Sequence, residues 1–571
     1  MNDMQTAPEQ IRNIKKMRVD LPVNVTLHVW LKAVLPGELG ILSMSNANGR
    51  FGDVTVANSE EYSFRIYHIF GGGLVDFEYD AETTAVSVLY WFTAADVLDK
   101  GVQVVHTNHS NAPPALPDSY HFRPPFGWMN DPNGFGRFHG RPHLFYQHYS
   151  HGLRWNTMHW GHAVSDDYLH WRHMPIFLFP SEDLTARPDK RGGAYSGSAI
   201  PMSDGPGIRV FFTEQVAERT PEIQIQLTAT SADLIMAGQA EVILPERPAN
   251  QGLTLDFRDP YVFRGPDGRW KMLLGSQSND GGVILLYETE DHRGATGWTF
   301  IDKLLVEKRL QTSAIECPCL VPLDGAANDP STRWALIFGL MHSVCPRTER
   351  RNLTFAEVGW FDGKRFTKEF EQELDFATDN YAFQAFDDGG KVVGIGWLAN
   401  WADASPDIDF PSSMTLPRNL VLSEGALLTP PVEGVEVLRS HLLDDNRLMA
   451  GEHLSLVNGA AEIEFSLLEP GTHFELELHH PTIRLAVVGD DEGLKIVYKR
   501  EGSSAGPRYL AAGARARTLR IFIDRGSIEV FADGGRWTGT KRLDDFEPVR
   551  STRLKAPAGA VTEARAWALK L

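Results

Sequence analysis

A repeated placement of polar residues ahead of a glycine constrains this chain more than any other feature. Asp131, Ser196, Asp259, Glu316 and Tyr381 are each followed nine residues later by glycine, at Gly140, Gly205, Gly268, Gly325 and Gly390. Successive starts lie 65, 63, 57 and 65 residues apart. Long helical periodicity is scarce, and short alternating segments bounded by Gly, Pro, Asp and Asn dominate, so the chain reads as all-β. One unit resolves clearly. Strands are expected at Asp259–Arg264, Trp270–Ser276, Val283–Glu288 and Trp298–Leu304, with a turn at Pro266–Gly268. Such a four-strand meander has the shape of one propeller blade. Five of them predict a five-bladed β-propeller over 119–432. Four of the glycines are expected to close tight turns with φ > 0, while Gly390 leaves the register open by one. The competing reading is a large sandwich with coincidental glycines.

The propeller has a functional consequence. The first strand of each blade lines the central channel, so residues opening those strands converge on one end of a funnel. In three units that residue is a carboxylate shortly before proline: Asp131-Pro132, Asp259-Pro260 and Glu316-Cys317-Pro318. Three carboxylates in one pocket repel unless some are protonated or paired, which suggests acid–base chemistry.

Two further β-rich regions flank the repeat. Residues 1–118 contain VNVTLHVWLKA, YSFRIYHIF, LVDFEYD and AVSVLYWF, and residues 433–571 contain HFELELHH, IRLAVVG, LKIVYKR and TLRIFIDRGSIEVFADGG. Both alternate with period two and read as sandwiches, the first being an additional N-terminal β-rich domain. Asn111–Pro117 and Thr429–Gly434 are the expected linkers. At 571 residues the chain is too long for a single core.

Charge and composition narrow the partners. Lys and Arg number 55 against 74 Asp and Glu, a net charge of −19, which argues against nucleic acid or an anionic membrane. No apolar run approaches the ~20 residues of a membrane helix. Residues 1–18 carry no apolar stretch after their charges, so a cytoplasmic protein is expected. Three cysteines, Cys317, Cys319 and Cys345, build no disulfide framework and fit a reducing compartment. No phosphate loop and no metal-ligand cluster stands out, so no cofactor or metal is expected. A homo-oligomer stays open.

Further motifs carry a resemblance. Trp128-Met-Asn-Asp-Pro-Asn-Gly134, Phe257-Arg-Asp-Pro260 and Glu316-Cys-Pro318 resemble the three signature blocks of glycoside hydrolase family 32, the invertases, inulinases, levanases and fructosyltransferases. Phe145-Tyr-Gln-His148, His159–Ser165, Tyr195-Ser-Gly-Ser198, Asn400-Trp401 and Met414–Arg418 agree with it. The resemblance covers about 119–571, and residues 1–118 have no counterpart in the usual family pattern. It implies a five-bladed propeller plus a sandwich, and retaining hydrolysis of terminal β-fructofuranosides such as sucrose. By motif position, Asp131 resembles the nucleophile, Glu316 the general acid/base and Asp259 the transition-state stabiliser. The chemistry is consistent with this. A retaining glycosidase needs one ionised carboxylate to attack and one protonated carboxyl to release the leaving oxygen.

Around these three, Asn130, Gln147 and Ser196 are natural readers of sugar hydroxyls. Trp155 and Trp401 offer rings for the apolar sugar face, and Trp128 does so less strongly. Arg258 pairs with a carboxylate and is expected to help keep Asp259 ionised. Tyr195 stands where the family often has Trp or Phe, and Tyr381 opens the fifth unit. Each also has a purely structural reading. Asp-Pro pairs favour turns, most tryptophans are core residues, and Cys317 is small enough simply to pack. His159, His162 and His170 are expected to be strand residues with satisfied hydrogen bonds. The rival functions are a fructosyltransferase using the same intermediate, an exo-acting inulinase or levanase, a non-catalytic fructan binder and an arabinanase-type enzyme.

Overall fold

The computed structural model describes residues 13–108, 119–181, 192–216, 224–402, 412–456, 458–500, 502, 506–543 and 547–570. The expected linker at Asn111–Pro117 lies outside them. The chain is all-β, a β-propeller and a β-sandwich with a further pair of sheets at the N-terminus. Among the described residues no helix is long and apolar enough to cross a membrane.

The unit read from the sequence forms as expected. Its strands are Leu253–Arg264, Trp270–Ser278, Gly281–Thr289 and Thr299–Glu307, paired antiparallel in chain order. The first begins six residues before the expected start. Four other meanders share this topology. Their first strands are Trp128–Phe138, Gly192–Pro201, Ile315–Pro322 and Tyr381–Asp387. Each first strand packs on the next, and Tyr381–Asp387 returns to Trp128–Phe138, closing a ring. Side chains tie the ring together. Gln384 accepts from Phe135 N at 2.9 Å and donates to Gly197 O at 3.0 Å, and Ser198 Oγ donates to Pro260 O at 2.7 Å.

The turn glycines need a correction. Gly140, Gly268 and Gly390 have φ of 80°, 75° and 94°, but Gly205 and Gly325 do not adopt positive φ. In the second sheet the left-handed role passes to Gly207, where an added Cβ would lie 2.1 Å from Ser231 O. The Gly325 hairpin is a longer loop and needs no such residue at that point. Gly390 keeps its register, its N–H bonded to Asp387 Oδ1 at 2.6 Å.

At the N-terminus two four-stranded sheets face each other across Leu27, Val29, Leu31, Leu42, Met44 and Phe77. Simple alternation underestimates the burial of Val25–Ala33, because its second face is covered too. Trp30, Tyr90 and Phe92 pack on Phe126, Val164, Met174 and Ile176 of the propeller. The C-terminal sandwich pairs two six-stranded sheets around a core that includes Ile463, Leu476, Val487, Ile521 and Val530.

Propeller and sandwich meet through a buried charge cluster. His121 bonds Asp524 at 2.9 Å and Glu529 at 2.8 Å, and Arg418 Nη2 donates to the other oxygen of Glu529 at 2.7 Å. Burial opposes a charge on His121, but the two carboxylates overcome it and raise its pKa to about 10.

Candidate active site

Every first strand is irregular near its repeat position. Register shifts in the ladders fall at Asn130-Asp131, Tyr195-Ser196, Asp259-Pro260, Cys317-Pro318 and Ala382-Phe383. A bulge adds a residue, bends the strand and re-aims its side chains. Here it turns Asp131, Ser196, Asp259 and Glu316 into the funnel, while Tyr381 stays buried behind it. The left-handed backbone at Asp259 (φ 63°), Cys317 (φ 48°) and Ala382 (φ 51°) records that distortion.

The structure brings all ten sequence-predicted site residues to one cavity of about 490 Å³. Asn130, Asp131, Gln147, Trp155, Tyr195, Ser196, Arg258, Asp259, Glu316 and Trp401 line it. Asp131 accepts from Asn130 Nδ2 at 3.0 Å and from Ser196 Oγ at 2.7 Å. Burial and the charge of Glu316 push its pKa up, and those two donors oppose the shift. Asn130 is itself aimed by Trp128, whose Nε1 donates to its Oδ1 at 2.8 Å. Trp128 is 2% exposed, stacked on Trp401, and does not line the cavity, so it supports the site from behind.

Asp259 is gripped through its backbone and its carboxylate. Its N–H donates to Thr213 Oγ1 at 3.1 Å, and its Oδ2 accepts from Cys317 N at 2.8 Å. Burial raises its pKa to about 7; Arg258 opposes this, and the charges of Glu316 and Asp131 add to it. The Cys317 thiol lies 3.5 Å from Asp131 Oδ2 and 3.6 Å from Asp259 Oδ2, a neutral donor between two acids. Burial, then the neighbouring carboxylates, hold it well above the usual thiol range.

Glu316 is held at both oxygens. Arg258 Nη2 donates to Oε1 and the Tyr381 hydroxyl donates to Oε2, each at 2.7 Å. Arg258 thus pairs with carboxylates as expected, and its charge favours the ionised form of Asp259. The arginine's hydrogen bonds reach Glu316, Asp256 and Met341 Sδ, and Asp259 feels it through space. Burial opposes the guanidinium charge, yet Glu316 and Asp256 keep its pKa well above the usual value.

Sequence reasoning missed several lining residues. Asp256 anchors Arg258, while Met341, His342 and Asn352 reach the cavity from an irregular stretch between Leu340 and Val344 and its partner strand. Nothing in the local pattern marks them, because that irregularity is set by strand pairing. Thr213 and Gln226 are also unforeseen; Thr213 Oγ1 donates to Gln226 Oε1 at 2.7 Å, which aims it at Asp259 N. Two histidine expectations change. His162 leaves Nδ1 without a partner among the described residues, and His170 lies outside the strands, bonded to Asp167.

The chain is similar to known proteins over most of its length. Residues 121–431 match the glycosyl hydrolases family 32 N-terminal domain, and 447–567 match the glycosyl hydrolases family 32 C terminal. A sucrose-6-phosphate hydrolase of Escherichia coli is 32% identical over 77% of this chain and 92% of its own length. A raffinose invertase of Escherichia coli is 31% identical over 79% and 94%. The solved structure of a family 32 glycoside hydrolase from Bifidobacterium adolescentis superposes with a TM-score of 0.85 at 23% identity, covering 97% of this chain and 99% of that one. That coverage takes in most of the N-terminal pair of sheets, whereas the family model begins at residue 121. With both family domains matched in order, the chain belongs to glycosyl hydrolase family 32.

Proposed function

We propose that this protein is a β-fructofuranosidase that hydrolyses terminal β-D-fructofuranosides with retention of configuration. One observation carries the assignment of roles. Asp131 sits among neutral donors, while Glu316 in the same cavity is positioned at both oxygens by Arg258 and Tyr381. Asp131 attacks the anomeric carbon and the glycosidic C–O bond breaks. Glu316, having taken up a proton from solvent before the reaction, gives it to the leaving oxygen. Glu316 then takes a proton from water, which displaces Asp131 and releases fructose. Asp259 strengthens its grip on fructose hydroxyls as the oxocarbenium character develops. Asn130, Gln147, Ser196 and Tyr195 read hydroxyls, with Trp155 and Trp401 as ring platforms. Retention requires Asp131 and Glu316 about 5–5.5 Å apart, and a gap near ~8 Å in a fructoside complex would argue for inversion.

The five four-stranded sheets and their closed inner ring support a five-bladed propeller, with domains at 1–118, 119–432 and 433–571. Sucrose or a short neutral fructoside is the proposed substrate. The relatives are named both for sucrose 6-phosphate and for raffinose. Among the described lining residues, Arg258 is the only Lys or Arg, and it is already bound to Asp256 and Glu316. Among the described lining residues no further Lys or Arg stands ready for a phosphate. Cysteines that remain free are consistent with a cytoplasmic enzyme fed by an imported disaccharide.

A sugar panel with product chromatography tests the reading. It should contain sucrose, sucrose 6-phosphate, raffinose, inulin and levan. Equal glucose and fructose from sucrose are expected, with kcat/KM falling toward the polymers. Excess glucose with kestose-like products would instead show a transferase, and a clear preference for the phosphorylated substrate or for inulin would overturn the substrate proposal.

A further inference from the structure

A second cavity, of about 500 Å³, lies where the N-terminal sheets meet the propeller. It is separate in lining from the catalytic funnel, and the two share no lining residue. One propeller segment walls both. Tyr149 and Thr157 face the junction, while Trp155 between them faces the funnel. The opposite wall is the N-terminal segment Asn58–Arg65.

The lining combines ring faces with unspent polar groups. Tyr62 stacks on His151 with centroids 4.8 Å apart, and Phe64 stacks on Phe179 at 4.8 Å. Glu61 is half-buried. One of its oxygens accepts from Tyr62 N at 2.8 Å, and the other has no hydrogen-bond partner among the described residues. Asn58 uses its carbonyl oxygen to accept from Glu60 N and Glu61 N, which leaves its amide donors unspent among the described residues. Burial pushes the Glu61 carboxyl above its usual range, and the Tyr62 N–H and the charge of Lys32 oppose the shift. Aromatic faces flanked by one carboxylate acceptor and one amide donor are complementary to a sugar ring, whose C–H face is apolar and whose rim is hydroxylated. The mixed lining and the small volume suit one or two sugar rings better than an apolar ligand or a protein segment.

We propose that this junctional cavity is a second, non-catalytic binding site for a neutral sugar unit of a fructo-oligosaccharide, built jointly by the N-terminal sheets and the propeller. Glu61 and Asn58 hold its hydroxyls, and the Tyr62–His151 stack, with Lys32 over the Tyr62 ring, forms its aromatic wall. The proposal rests on the fructoside specificity argued above for the choice of sugar. The site itself is read from different residues.

The test is calorimetric titration of nystose into the full-length Asp131→Asn enzyme, which binds without turnover. Two sites per chain are expected. Tyr62→Ala, which removes the aromatic wall, and Glu61→Gln, which removes a charged acceptor, should each in that background remove one site or weaken it at least about ten-fold. Tyr62 and Glu61 are both partly exposed, and Glu61→Gln conserves volume, so unchanged melting curves are expected to accompany the lost site. In the active enzyme, the same substitutions should leave kcat/KM for sucrose within about two-fold. A single site in the parent titration, or two sites that neither substitution affects, would overturn the proposal. If Asp131→Asn still cleaved nystose, the catalytic reading would fail, and the Tyr62 and Glu61 variants, titrated with a non-hydrolysed sugar such as 1-thio-fructoside, would still decide the second site.

Discussion

Arg258 and Glu316 form an ion pair of 2.7 Å between the inner strands of two adjacent sheets, 58 residues apart in sequence. The arginine sits next to Asp259 in the chain but directs its hydrogen bonds to Glu316, Asp256 and Met341 Sδ. It therefore fixes the orientation of the proposed acid while compensating a funnel that contains four carboxylates.

Replacing Arg258 with methionine keeps much of the volume and removes the countercharge. Glu316 and Asp256 are then left without their cation, and breaking a buried pair from one side costs about 3–5 kcal/mol. Denaturant unfolding should show a loss of that size, and sucrose turnover should fall with it. A variant as stable as the parent would show that the pair is fully solvent-compensated.

Asp131→Asn should lower kcat by several powers of ten with the fold intact, because an amide cannot form the fructosyl ester. Glu316→Gln should behave differently. It should retain more activity on a fructoside with a good leaving group than on sucrose, since that substrate needs less proton donation. Equal losses on the two substrates would remove Glu316 from the acid role.

Asp259 gives a pH signature in activity and in stability. Its pKa is raised to about 7, so it is protonated below neutrality in the free enzyme and ionised above it. If its anion stabilises the transition state, kcat/KM should rise with pH through a limb near 7 that Asp259→Asn abolishes. The stability sign is opposite to the usual carboxylate. The folded pKa exceeds the ordinary 3.8, so its ionisation destabilises the fold progressively from pH 3.8 to about 7. Asp259→Asn should thus raise Tm more at pH 8 than at pH 4. A limb near 4 with no such difference would show that Asp259 remains ionised in the folded enzyme.

The propeller–sandwich interface gives a second pH dependence. His121 is raised from 6.5 to about 10, so its stabilisation is complete below pH 6.5 and is lost as pH climbs to about 10. Asp524 and Glu529 are lowered despite burial, by His121 and by Arg418 with His121 respectively. Their contribution is complete above their ordinary 3.8 and 4.5 and is lost as pH falls below those values. Tm should peak between about pH 4.5 and 6.5 and decline toward 10. His121→Gln should lower the peak and flatten the alkaline decline in a melting series.

Removing residues 1–118 should leave the funnel residues in place but uncover Phe126, Met174 and Ile176, which pack on Trp30, Tyr90 and Phe92. Aggregation or a clear drop in Tm is expected, measured by light scattering and thermal melting. A soluble truncation with unchanged Tm would mean that this contact contributes little.

The all-β class and the position of the three carboxylates were legible in the chain, because a repeat of similar meanders puts corresponding residues in corresponding places. Asp131, Asp259 and Glu316 could be aligned by counting to a glycine, although Gly205 and Gly325 turned out not to need that role. What the carboxylates touch was not legible. The partner of Arg258 depends on how two sheets twist past each other, and the thiol of Cys317 meets Asp131 and Asp259 only because the inner strands bulge toward one axis. The junctional cavity belongs wholly to tertiary structure. Tyr62 and His151 are 89 positions apart, and no local pattern records that one sheet face docks beside the other. Sequence periodicity determines which residues share a strand and a face; packing between faces decides which charges are paired, which are buried, and so which can do chemistry.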